Sequence, residues 1–209
     1  MSANMVPVRL GFRALRGGSV VVGVATEKGK PRLVLSSFLA TAVEGDRLSL
    51  EPYHVASEMG RRGGPMAEAK AAVAEGRKRQ DELAAAGLKQ IVRKLRKAGG
   101  EPAVAALLLN RAGWISDLLE YSLAWPEHPP VAEGLAVRDA LRVALGKLGI
   151  AVAEMDEKSL PDAASKALGL KPAAIDAQLK AFGATAGRPW RKEQKLACLA
   201  AWVAVRPRQ

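Results

Sequence analysis

The chain contains a single cysteine, Cys198, so no internal disulfide can form and a disulfide-stapled scaffold is excluded. Aromatic residues make up only 4% of its 209 residues. No apolar run is long enough to cross a bilayer: the longest, Leu196 to Val205, falls well short of the ~20 residues a spanning helix needs. The sequence does not open on a basic head followed by an apolar stretch, so no secretory signal is expected. The two histidines, His54 and His128, lie beside prolines and far apart, and no Cys/His or His/Asp spacing suggests zinc. There is no Walker-type phosphate loop and no G-x-G-x-x-G following a strand, which leaves nucleotide binding of the common kinds without support. These absences predict a soluble, cytoplasmic chain with no resident metal, no cofactor and no membrane partner.

What the sequence does have is positive charge, 32 Lys and Arg against 21 Asp and Glu for a net +11. The charge is segregated. Residues 1–32 carry +5, residues 61–97 carry +7 and residues 188–209 carry +5, while 33–60 and 98–187 carry −3 each. Three basic segments meeting in space would make one field able to hold a phosphate backbone. Kept apart, they would serve solubility alone.

Local patterns predict the elements. Val6–Leu15, Val20–Thr26 and Arg32–Ala42 read as strands separated by Arg16-Gly17-Gly18-Ser19 and Glu27-Lys28-Gly29-Lys30, an antiparallel meander. Residues 45–65 carry breakers and no sustained period, and read as an irregular basic segment. A helix follows Pro65, with Leu88, Ile91, Val92 and Leu95 on one face and Gly99-Gly100 at its end; Gly76 and Gly87 are places where it could break. Ala103–Leu109 is a continuous apolar run suited to a strand covered on both faces. Helices over Ile115–Trp125 and Val131–Leu148, a strand over Gly149–Met155, and helices over Lys171–Phe182 and Arg191–Val205 complete the chain. The order is β-β-β-α-β-α-α-β-α-α. It predicts one α/β domain over residues 1–209, with a mixed sheet of three antiparallel strands leading into parallel ones, flanked by helices.

This order resembles the ribonuclease H-like superfamily, and the nearest flavour is the RuvC-type Holliday-junction resolvases. Val8-Arg9-Leu10-Gly11-Phe12-Arg13 resembles a first strand that normally reads hydrophobic, Gly, Ile, Asp. Leu148-Gly149-Ile150 resembles the helix end that feeds the fifth strand, and Glu193–Ala200 resembles the Ala-rich closing helix. The resemblance implies a two-metal nuclease site built from carboxylates, and here the sequence departs from the pattern. The expected acids fall at Arg13, Asn110, Lys192 and Lys195, three cations and an amide, which cannot hold a pair of divalent cations.

The expected function is therefore a non-catalytic nucleic-acid binder that favours structured DNA over RNA, with a homodimer left open. Arg13, Arg16, Arg93, Lys97, Arg191, Lys192 and Lys195 are the expected phosphate contacts. Trp190 is a stacking surface or, with better support, a hydrophobic plug before the last helix. Trp114, Trp202 and Cys198 are expected in the interior, the histidines in loops, and Glu154, Asp156 and Glu157 as solvated acids at a strand end. Arg61-Arg62-Gly63-Gly64 and Arg77-Lys78-Arg79 are further basic contacts. Two alternatives stand beside this reading: a divergent nuclease whose acids have moved to Asp117, Glu133, Glu154 or Glu193, and a protein–protein adaptor on the same scaffold.

Overall fold

A computed structural model describes residues 5–109 and 114–204. Its sheet is built from β1 (Val6–Leu15), β2 (Gly18–Glu27), β3 (Lys30–Ala40), β4 (Gly100–Leu109) and β5 (Val152–Asp156), in the spatial order β3-β2-β1-β4-β5. The first three strands form the antiparallel meander. β4 then lies parallel to β1, with Val6 opposite Gly100 and Phe12 opposite Leu107, and β5 lies parallel to β4. The expected α/β fold, antiparallel strands leading into parallel ones, is the one observed.

Helices cover both faces, which is why β2 and the inner part of β4 read as unbroken apolar runs. On one face, α3 (Met66–Lys97) and α5 (Pro129–Lys147) pack Leu88, Ile91, Leu95, Val137 and Leu141 against Val8, Leu10 and Phe12. On the other, α6 (Leu160–Leu168), α7 (Pro172–Ala186) and α8 (Lys192–Val203) cover Val20, Val22, Val24, Val104 and Ala106. α8 lies almost in backbone contact with β1. A Cβ at Gly11 would stand 1.9 Å from the Ala197 carbonyl oxygen, so glycine in the strand and alanine in the helix together set this close approach.

Residues 45–65 are not irregular, and with three arginines against three acids they are not basic either. They form α1 (Arg47–Leu50) and α2 (Pro52–Arg61), joined by a corner at Glu51. Asp46 caps the first of these through Leu48 N–H. The cap of the second comes from 80 residues away: Glu133 Oε1 accepts from the Tyr53 and His54 N–H groups, 2.9 Å each. Local sequence carries no trace of that partner. The same corner explains why α3 runs through Gly76 without a break. A Cβ there would meet the Leu48 carbonyl oxygen and Pro52 Cβ at 2.4 Å, so the glycine makes room for a crossing. α4 (Leu118–Ala124) is shorter than the helix expected from Ile115. α6 went unread because it is only nine residues long, yet Leu160 and Ala164 are buried on one stripe and Gly169 closes it with φ of 63°.

Of the residues expected inside, Cys198 and Trp202 are buried, and Trp202 meets Phe182 edge to face. Trp114 is 73% exposed, contrary to expectation. His54 sits on α2, with its ring on Glu58, rather than in a loop. Among the described residues no helix is long and apolar enough to cross a membrane.

Candidate nucleic-acid interface

The carboxyl ends of the parallel strands β1, β4 and β5 converge at one edge of the sheet, where Arg13 is placed with its side chain toward α8. Glu157 follows β5 directly and is held there by its N–H, which donates to the Leu109 carbonyl. Its carboxylate accepts two hydrogen bonds from the Arg13 guanidinium, from Nε at 2.9 Å and Nη2 at 3.1 Å. Glu193, in the first turn of α8, approaches Arg13 Nη1 at 3.7 Å from the other side. All three side chains are 20–31% exposed, so the pairing is only partly screened by water. The expected meeting of Arg13 with the start of the closing helix is therefore present. Glu157 is thus not the solvated strand-end acid that the sequence predicts, and its partner lies 144 residues away.

The other expected contacts divide. Lys192 and Lys195 are on α8 but do not face Arg13; they rim a separate groove of about 320 Å³ between α6, α7 and α8. Arg191 is exposed immediately before α8, where its N–H donates to Gln194 Oε1. Arg16, at the turn after β1, reaches toward Glu51 at 3.4 Å and leaves its side chain half in solvent. It lines a cleft of about 350 Å³ with His54, Pro126, Glu127 and Glu133, on the α5 face. Arg93 and Lys97 belong to the last turns of α3, on the face opposite α8 and beside the amino end of β1. Seven residues of strand, roughly 20 Å, separate that end from Arg13. Among the described residues, the basic segments ending in α3 and beginning α8 are on opposite faces of the sheet and do not merge into one surface. Asn110, Arg111 and the arginines after Ala204 lie outside the described residues.

The four relocated acids are likewise dispersed. Asp117 caps α4 through Leu119 and Glu120 N–H, Glu133 is buried at the head of α2, Glu154 pairs with Arg142, and Glu193 stands by Arg13. No three His, Cys, Asp or Glu side chains among the described residues gather as metal ligands. Glu133 has the most perturbed chemistry. Burial pushes its carboxyl up to about 8, against the pull of the two N–H groups on Oε1, and Oε2 is buried with no partner among the described residues. Burial also pushes the Cys198 thiol up to about 12, which leaves it an inert core group.

A feature the sequence does not predict is an aromatic patch flanking α4, with Trp114 in the turn before the helix and Trp125 at its carboxyl cap. Trp114 and Trp125 are 73% and 53% exposed, and Trp114 stands edge-on to Tyr121 with ring centroids 6.0 Å apart. The signal was the position of two tryptophans in a polar stretch rich in turn residues. Trp190, by contrast, packs on Gly183, where a Cβ would meet its ring at 2.3 Å, and donates its indole N–H to the Leu179 carbonyl. It is a plug.

No family model matches the chain, and no curated protein matches it. Solved structures do, RuvC among them. Thermus thermophilus RuvC in complex with a Holliday junction substrate aligns over 95% of this chain and 92% of that one, with a TM-score of 0.52 and 13% identity. The Thermus thermophilus RuvC structure aligns over the same shares, with a TM-score of 0.50 and 15% identity. At that identity the likeness is one of architecture, and the architecture is the ribonuclease H-like fold of RuvC.

Proposed function

We propose that the chain binds structured DNA through the carboxyl end of its sheet and does not cut it. The observation that carries this reading is Arg13, a guanidinium clamped between Glu157 and Glu193 at the end of the central strand. Metal-assisted phosphodiester cleavage needs hard oxygen ligands concentrated around divalent cations. At Arg13 a fixed positive charge stands at the strand end instead, hydrogen-bonded twice by Glu157 and approached by Glu193 at 3.7 Å. A divalent ion would have to displace a two-pronged guanidinium–carboxylate pair and then sit beside the cation. The solved RuvC complex that shares this architecture holds a Holliday junction, and this favours branched DNA as the ligand. Arg16 and Arg191 supply phosphate contacts at the strand ends, and Trp114 and Trp125 supply faces on which unpaired bases can stack.

The test is a labelled four-way junction, a matched duplex and a single strand, titrated with the protein in EDTA and then incubated with Mg²⁺ or Mn²⁺. The junction should bind more tightly than the duplex, and none of the three should be cleaved. Cleavage that disappears in Glu157→Gln or Glu193→Gln would overturn the non-catalytic reading. Equal affinity for junction and duplex would remove the structural preference.

A further inference from the structure

We infer that the groove between α6, α7 and α8 docks a short linear segment of a partner protein in which apolar residues are flanked by acidic ones. Its floor is made of Ile175 and Leu179 from α7 and Leu196 and Leu199 from α8. Ile175, Leu179 and Leu199 are at most 5% exposed, and Leu196 is half-buried, so the floor is apolar and fixed by the core beneath it. Pro161 and Pro172, each in the first turn of its helix, stand among the lining residues and stiffen the walls. The volume of about 320 Å³ is at the small end of the range for specific binding pockets and suits one or two large apolar side chains.

The rim selects the charge. Lys192 and Lys195, three residues apart on α8, share one edge, and Asp176 is the sole acid among the lining residues. Every ion pair recorded among the described residues uses arginine or histidine as its cation, so both ammonium groups remain available to a ligand. A phosphate backbone would satisfy the two lysines and leave the apolar floor in water. A purely apolar segment would fill the floor and ignore the lysines. An acidic–apolar segment uses both, its side chains entering between the prolines while its carboxylates meet the rim. The groove is lined by α6, α7 and α8 on one face of the sheet, whereas Arg16 and the tryptophans flanking α4 are at the α2 and α5 side of the molecule. A partner segment and a nucleic acid could therefore be held together, and the inference does not depend on what the strand ends bind.

An array of seven-residue peptides tests this with the full chain. One set combines two or three Asp or Glu with one or two Leu, Ile or Phe; control sets are all-acidic, all-apolar, or carry Lys in place of the acids. The acidic–apolar set should be enriched, and its best member, labelled with fluorescein, should lose at least tenfold in affinity against Leu196→Ser. The pair Lys192→Glu with Lys195→Glu should reverse the preference toward the Lys-bearing peptides, a gain that a misfolded variant cannot produce. Leu196→Ser should leave junction DNA binding unchanged. No enrichment over the controls, or equal binding of all-acidic peptides, would overturn the inference. So would concentration-dependent dimerisation abolished by Leu196→Ser, which would assign the groove to a second copy of the chain.

Discussion

Gly11 lies directly beneath α8, with the Ala197 carbonyl where its Cβ would be. A methyl group there must lift the helix or bend the strand, and overpacking of this kind costs about 1–3 kcal/mol. Gly11→Ala is expected to lower the urea midpoint accordingly, while Gly134→Ala, which has open space at its Cβ, should leave it unchanged or raise it. Glu133 gives a pH dependence with a definite sign. Folding raises its carboxyl from an ordinary 4.5 to about 8, so between those values the folded chain holds a proton that the unfolded chain has released. This contribution to stability is fully present below about 4.5 and is lost as pH rises through about 8. Glu133→Gln keeps an oxygen to receive the Tyr53 and His54 N–H groups and cannot ionise. Thermal melts from pH 5 to 9 should show the parent losing stability relative to this variant as pH rises; a constant difference across the range would assign Glu133 no titration there.

Among the elements, α8 does three different things on two sides of one helix, with Glu193, Ala197 and Ala201 four residues apart along the side that meets β1. Ala197 and Ala201 press on β1, Glu193 reaches Arg13, and Lys192 and Lys195 rim the groove. Lys192 and Lys195, which fall with Arg13 where the resemblance expects metal-site acids, miss Arg13 on angle: residues 192 and 195 project together, and residue 193 turns about 100° away from its neighbour. The segments flanking α4 form the surface that most needs a use, since they expose two large aromatic rings in a chain with few. If bases stack there, Trp114→Ala and Trp125→Ala should each weaken single-strand and junction binding by about 1–3 kcal/mol. Tryptophan fluorescence should be quenched on binding, and thermal stability should stay within experimental error because neither ring is in the core. Unchanged affinity in both variants would remove this aromatic patch from the interface.

For the whole molecule, the sheet acts as a partition between two basic regions. α3 carries its cations along one face, and α8 begins among cations on the other. A ligand at the strand ends therefore meets only part of the +11 charge. With about three or four phosphates neutralised, log K should fall against log salt with a slope of roughly −3 to −4. Charge reversal at Arg16 and Arg191 should flatten that slope. Reversal at Arg93 and Lys97, at the other end and face, should affect affinity much less, and an equal effect would show that DNA wraps the sheet rather than docking at one edge.

The strands and the antiparallel meander were legible in the sequence because each rests on local information: alternation, tight turns at glycine, and a seven-residue apolar run between breakers; the parallel strands beside the meander followed from the order of elements and the resemblance it carries. The core face of α3 was legible for the same reason, from the spacing of Leu88, Ile91, Val92 and Leu95. Apolar periodicity says that a helix has a buried side, but not which face of a sheet will cover it. Tertiary structure alone therefore separated Arg93 and Lys97 from Arg191. It also supplied Glu157 to Arg13 and Glu133 to the head of α2, pairings across 144 and 80 residues that no local pattern encodes. A charged or polar side chain is read from sequence as solvated by default. Whether it is clamped, capped or left free depends on what the fold brings within 3 Å of it, and only the assembled chain decides that.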